Sequence, residues 1–210
     1  MTAVANHTRP FLVGVSGPSG SGKTDLCRCL LDRFPEATLL MQDWYFKPPE
    51  ELQEDMNFCD LSTLQTDRFV ADVISLSMGD IVHAPKMNLH TFEPLPGYVP
   101  VAPKKIVLVE GMTIFRLSEI FDLFQLCIYL SPSQEILRRR KVARDTTGRG
   151  RSIQRAVKQL EGWVISEYLR DMRTLEARVQ FLNADLSKEE ICAQVSQLIE
   201  ESLEKLSLTH

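Results

Sequence analysis

Residues 11–27 read FLVGVSGPSGSGKTDLC: an apolar run, a glycine-rich turn, and Gly-Lys-Thr opening a stretch with helical spacing. The run Pro10–Ser16 is short and almost continuously apolar, the pattern of a strand buried on both faces. Gly17, Pro18, Ser19, Gly20, Ser21, Gly22, Lys23 and Thr24 satisfy G-x-x-x-x-G-K-[ST], the Walker A pattern. Its glycines let the backbone wind so that several N–H groups point into one concavity, and the helix start adds partial positive charge. Lys23 is placed to reach the β- and γ-phosphates of a nucleoside triphosphate, and the Thr24 hydroxyl to ligate Mg²⁺. A buried strand before the turn and an amphipathic helix after it are the context that such a cradle requires.

The rest of the chain repeats this alternation. Ala37–Asp43 (ATLLMQD) and Lys104–Gly111 (KKIVLVEG) read as further buried strands, each ending in a carboxylate, and QLCIYLS and VQFLNAD as a fourth and fifth. Helical spacing is expected over LQTDRFVADVISLSMG and LSEIFDLF, and over PSQEILRRRKVARDTTG up to Gly148. It is also expected from Ile153 through Val157, Leu160, Val164 and Leu169. The closing helix carries a capping box, Ser187 with Glu190, and an apolar stripe through Ile191, Val195, Leu198 and Ile199. Ile81–Pro103 is rich in proline and reads as irregular structure or a small projecting hairpin. Alternating buried strands and helices indicate an α/β fold, a five-stranded parallel sheet in a three-layer α/β/α arrangement. Ligands bind outside the carboxyl ends of such strands, where the glycine turn, Gln42-Asp43 and Glu110-Gly111 all fall.

Composition narrows the function. A length of 210 residues suits one domain over 1–210, with an insertion at about 81–103 and a lid at about 138–152. The net charge of −4 argues against a general nucleic-acid binder. No apolar run approaches membrane-spanning length, and the N-terminal residues lack the apolar core of a signal peptide. The cysteines Cys27, Cys29, Cys59, Cys127 and Cys192 show no metal-ligand spacing and are read as reduced thiols of a cytoplasmic protein.

Phosphoryl transfer to an alcohol needs a positioned nucleophile, a proton acceptor and cations around the moving charge. Asp43 is the candidate base, with Mg²⁺ ligation or turn capping as the alternatives. Glu110 ends its strand where a Walker B acid belongs, either a Mg²⁺ ligand, directly or through water, or a loop cap. Arg138–Arg151 places seven cations in 14 residues. It reads as a solvated helix face, a nucleic-acid patch or a mobile lid over phosphates. The lack of interleaved aromatics argues against the second, and Gly148 and Gly150 suit the hinge of the third. His83 and His90 are pocket or ordinary loop histidines. Trp44, Tyr45 and Phe46 either stack on a base or belong to the core. No N/T-K-x-D guanine-reading motif follows the fourth strand, which sets a GTPase switch aside.

GPSGSGKT, QDWYF, IVLVEG and RDTTGRGRS occur in an order and spacing that resembles the uridine–cytidine kinases of the uridine kinase/phosphoribulokinase superfamily, over roughly residues 10–185. The resemblance implies a P-loop kinase with an arginine-rich lid and a small substrate-binding insertion, using ATP and Mg²⁺ on a nucleoside hydroxyl. It implies Asp43 as the base, Glu110 with Thr24 at Mg²⁺, and Arg144, Arg149 and Arg151 on ATP phosphates. Phe46 would lie near the base pocket. Where the family holds the ribose diol with an aspartate, Cys59 stands here, and Asp60, the nearest acid, is the candidate to contact the substrate. Met87 and Asn88 replace the family's Tyr-Asp pair, and Lys141 replaces an arginine that reaches the sugar. QDWYFKP and VEGMTIF also resemble nicotinamide riboside kinases, which leaves the acceptor open. A nucleotide-binding regulator without transfer activity is the rival of another class. Homo-oligomerisation is left open.

Overall fold

The computed structural model describes residues 9–52, 57–88, 91, 93–175 and 177–208. In chain order the elements are β1 (Phe11–Ser16), α1 (Lys23–Arg33), β2 (Ala37–Met41), α2 (Thr66–Met78), β3 (Val82–Met87), β4 (Pro94–Val101), β5 (Ile106–Glu110) and α3 (Ser118–Phe121). Beyond them lie β6 (Leu126–Ser131), α4 (Gln134–Ala143), α5 (Ile153–Gln159), α6 (Ile165–Thr174), β7 (Val179–Asn183) and α7 (Lys188–Leu208). Five strands form a parallel sheet in the order β2-β5-β1-β6-β7.

The apolar runs fill both faces of this sheet by simple alternation. Val13, Val15, Leu108 and Ile128 face α1 and α7, whereas Leu12, Val107, Val109 and Tyr129 face α2, α3 and the α5–α6 helix. Each fully buried aliphatic side chain contributes about 1.5–3 kcal/mol of transfer free energy, so the two layers of helices, not strand propensity, hold the sheet. Register brings the strand ends level: Glu110 pairs with Val15 on one side and with Met41 on the other. The proline-rich segment is an antiparallel β3–β4 hairpin, with β4 largely exposed.

The sequence reading needs correction in two places. Cys29 on α1 is joined to Cys192 on α7 by a disulfide, with Cα atoms 6.3 Å apart, so only Cys27, Cys59 and Cys127 are free thiols. A separation of 163 residues leaves no local spacing to read, and only the side-by-side packing of α1 and α7 brings the pair together. Second, Ile153 and Leu169 are exposed rather than part of the buried stripe, which runs through Ala156, Leu160, Val164 and Tyr168. A π-helical turn at Leu160–Val164 widens the helix between α5 and α6 and rotates α6 about its axis, so Tyr168 takes the inward position. The α7 capping box forms as read: Glu190 N–H donates to Ser187 Oγ at 3.2 Å and Ser187 N–H to Glu190 Oε2 at 2.9 Å.

Candidate active site

The turn between β1 and α1 carries positive φ at Gly17, Gly20 and Gly22, conformations that side-chain-bearing residues rarely adopt. The turn wraps the buried Lys23 ammonium, which donates to the carbonyls of Gly17 at 3.0 Å and Pro18 at 3.2 Å. Burial lowers the Lys23 pKa, while Glu110 and Asp43 act to raise it. Thr24 Oγ1 donates to both carboxylate oxygens of Glu110, at 3.1 and 3.2 Å. Burial pushes the Glu110 carboxyl up to about 7, against the pull of Lys23.

A buried carboxylate beside a hydroxyl, at the mouth of a phosphate cradle, fits Mg²⁺. That ion needs only one or two protein ligands when phosphate oxygens and waters complete its octahedron. No group of three or more His, Cys, Asp or Glu suited to a metal occurs among the described residues.

Gln42 and Asp43 open a 3₁₀ turn directly after β2. The Gln42 amide oxygen accepts from the Thr113 N–H and hydroxyl, both at 3.1 Å, and so ties this turn to the loop after β5. Gly111 is required by space: a Cβ there would fall 2.4 Å from Gln42 Oε1. Asp43 is half-buried and lines the same cavity as Lys23, Thr24 and Glu110. Tyr45 belongs to the core and donates to Asp72 Oδ2 at 2.5 Å.

The basic segment continues α4 as a π-helical turn, Arg144–Gly148, and packs on the cradle. The backbone of Gly20 comes so close to Lys141 that a Cβ on the glycine would meet Lys141 Cβ at 3.1 Å. Arg144 Nη2 donates to Ser19 Oγ at 3.0 Å and to Asp145 Oδ1 at 2.8 Å. Asp145 is fully buried and also pairs with Lys141, with Arg151 at 3.4 Å and with Arg149 at 4.0 Å. Burial would raise the Asp145 pKa, but the Lys141 hydrogen bond and the Arg144 charge outweigh it and hold the carboxyl at about 2.

These parts enclose one cavity of about 690 Å³, a size suited to small-molecule ligands. Cradle, Asp43, Glu110, Arg144, Arg149 and Arg151 supply its polar lining, and Phe46, Phe58, Cys59, Met112 and Trp163 an apolar one. Phe46 packs edge-on to Phe58, with ring centroids 5.7 Å apart.

Several expected residues are placed differently from one another. Lys141 lines the cavity, but its ammonium is engaged by Asp145. Asp60 is absent from the lining and caps the turn 61–63, accepting from Ser62 N–H at 2.8 Å, while Cys59 stands on the wall. Met87 packs on Phe46 and Leu64, and Asn88 closes the hairpin, its N–H donating to Glu93 O at 2.9 Å. His83 is exposed on β3, away from the cavity, and His90 lies outside the described residues. The sequence reading missed Phe58, Met112, Gln159 and Trp163 on the wall. Gln159 and Trp163 are spaced four apart on the helix after the basic segment, a signal that helical periodicity alone assigns to the core.

Residues 12–179 match the model of the phosphoribulokinase/uridine kinase family. The chain belongs to this family. A uridine kinase of Leuconostoc citreum is 30% identical over 159 residues, covering 72% of this chain and 76% of that protein. A uridine kinase of Oceanobacillus iheyensis is 26% identical over 180 residues, covering 83% and 81%. Among solved structures, D-glycerate 3-kinase of Cryptococcus neoformans superposes with a TM-score of 0.60 at 13% identity, covering 85% of this chain and 88% of that one, a likeness of fold. This member of the family is a P-loop kinase, a phosphotransferase with an alcohol as acceptor. No helix among its described residues is long and apolar enough to cross a membrane.

Proposed function

We propose that the protein transfers the γ-phosphoryl group of ATP to the primary hydroxyl of a nucleoside, giving the 5′-monophosphate. The observation that carries this is the shared cavity: Asp43 lies on one wall with the phosphate cradle, the Glu110–Thr24 pair and the lid arginines, and the aromatic wall stands beside them. The relatives described as uridine kinases support a nucleoside as the acceptor class.

Thr24 and Glu110 would hold Mg²⁺. Held there, the ion would supply positive charge to offset that of the ATP phosphates. The Lys23 ammonium, which donates to the carbonyls of Gly17 and Pro18, would turn its N–H groups to phosphate oxygens instead. Arg144, already bonded to the cradle at Ser19, meets charge that develops on the transferring group, with Arg149 and Arg151 beside it. Asp43 accepts the proton of the acceptor hydroxyl as its oxygen attacks in line. Phe46, Phe58 and Trp163 offer flat apolar surface to the base and exclude water from the reacting oxygen.

Cys59 rather than Asp60 on the wall favours a second reading, an altered acceptor site for another small alcohol, and the likeness of QDWYFKP and VEGMTIF to nicotinamide riboside kinases puts nicotinamide riboside among the candidates. The test is ADP release from ATP·Mg²⁺ against uridine, cytidine, adenosine, guanosine and nicotinamide riboside, with Asp43→Asn alongside. Stimulation by uridine or cytidine that the variant loses supports the reading. Stimulation by nicotinamide riboside alone selects the second, and ATP binding without transfer to any compound points to a regulator.

A further inference from the structure

Arg116 lies outside the phosphoryl-transfer machinery, in the loop after β5, yet its guanidinium joins three parts of the molecule. Nη1 donates to the carbonyl of Cys59 at 3.2 Å and to Glu167 Oε2 at 2.7 Å. Nε and Nη2 reach Asp171 Oδ1 at 2.8 and 2.7 Å. The other Asp171 oxygen accepts from Tyr129 OH at 2.9 Å. Asp171 is 4% exposed and the Arg116 side chain 16%, so the network is withdrawn from water, where such forks are short and strong.

The two carboxylates belong to a helical stripe at four-residue spacing: Gln159, Trp163, Glu167, Asp171. At its lid end Gln159 accepts from Arg151 at 3.2 Å. Trp163 lines the cavity, and Glu167 and Asp171 hold Arg116. On the far side of Arg116 the turn at Cys59 is compact, with Cys59 N–H on Asn57 Oδ1 at 2.9 Å, and Phe58 and Cys59 are cavity wall. A continuous set of contacts therefore runs from the lid, down α5 and α6, through Arg116, to the wall.

We propose that Arg116 is a positioning residue for the acceptor: it fixes the Phe58–Cys59 wall to α6, so that the wall and the nucleotide lid move as one body. This rests on reading that wall as the acceptor end of the cavity. Binding at one end then favours binding at the other, and the coupling is reciprocal. Arg116 needs its whole fork to reach both carboxylates and the carbonyl, which a lysine cannot do.

The test uses the full chain with Arg116→Lys, which keeps the charge. A second variant, Arg116→Met with Glu167→Gln and Asp171→Asn, removes the charges together so that no carboxylate is stranded. The expected result is an acceptor KM raised about tenfold or more, with kcat and the ATP Kd changed by less than about threefold. In parallel, iodoacetamide labelling of Cys59 is followed by peptide mapping, with and without Mg²⁺ and a non-hydrolysable ATP analogue. In the wild type the analogue should slow Cys59 labelling. In both variants labelling should be faster and the response to the analogue lost. If the wild type phosphorylates no nucleoside but Cys59 labelling behaves this way, the acceptor reading fails and the role of Arg116 stands. Cys59 labelling that is identical in wild type and variants overturns the proposal, as does a rise in the ATP Kd of the acceptor-free enzyme equal to the rise in acceptor KM.

Discussion

Gly111→Ala probes how the acid that ends β5 and the turn that carries Asp43 are held together. The added Cβ would lie 2.4 Å from Gln42 Oε1, 2.6 Å from Gln42 Cβ and 2.7 Å from Ile114 Cγ2. A rotamer change can move the first of these, but Gln42 Cβ is fixed by its own backbone, so the chain at 42 or at 111 must shift. Overpacking of this kind costs about 1–3 kcal/mol. Displacing Gln42 Oε1 also strands the buried N–H and hydroxyl of Thr113, at about 1–3 kcal/mol for each buried group left unpaired. With partial relaxation the sum is about 2–5 kcal/mol, a fall in Tm of roughly 5–15 °C for a chain of this size. Because Asp43 is the residue after Gln42, a displacement of about 1 Å at the base should lower kcat about a hundredfold. The cradle is not touched, so nucleotide affinity should hold. Calorimetry, nucleotide titration and initial-rate ADP release measure the three quantities separately. A variant with wild-type Tm and kcat would refute the claim that Gly111 is there to admit Gln42.

Asp43→Asn should lower turnover by about 10²–10⁴-fold, the usual worth of a general base, while ATP binding persists; wild-type turnover would remove Asp43 from the mechanism. The Asp145 carboxyl, held at about 2, contributes stability that is fully present above about pH 4 and lost as pH falls through about 2, roughly 2 kcal/mol in all. Urea unfolding at pH 5 and pH 2.5 should show that loss in the wild type and less of it in Asp145→Asn; equal losses would sink the assignment. Reducing the Cys29–Cys192 bond should lower stability by about 2–5 kcal/mol, as expected of a link that closes so long a loop. The Cys29→Ser, Cys192→Ser double variant should melt at the reduced temperature with or without dithiothreitol, and a wild type indifferent to reductant would show that the bond contributes nothing.

The sheet, the cradle and both strand-end carboxylates were legible because each rests on a local pattern: an apolar run, a turn composition, an acid in the next position. The α7 cap was legible for the same reason, since Ser187 and Glu190 meet within one turn. The acceptor wall was not. Phe58, Met112 and Trp163 come from three separate segments, and nothing in any one of them marks it as lining a cavity. Asp60 was expected to face the sugar because it is the nearest acid in sequence, yet its carboxylate satisfies Ser62 N–H instead, and a shift of one residue along a turn is enough to exchange inside for outside. Lys141 was expected to reach the sugar in place of an arginine, yet its ammonium is engaged by Asp145 four residues on, a pairing that becomes decisive only once both are seen to be buried.

The level strand ends divide the molecule into a part that can drift and a part that cannot. Glu110 shares ladder rungs with Val15 and Met41, so the cradle, the acid and the Asp43 turn issue from adjacent strands about 5 Å apart. Their separations are set by backbone hydrogen bonds of the ladder, so a substitution alters them only by shifting the backbone itself, as Gly111→Ala would. The apolar wall instead draws on segments outside the sheet, Phe58 and Met112 from loops and Trp163 from the helical turn between α5 and α6. In the proposed reaction the phosphate-transferring end of the cavity is therefore set by the sheet, and the end that would take the acceptor by the packing of loops and a helix around it.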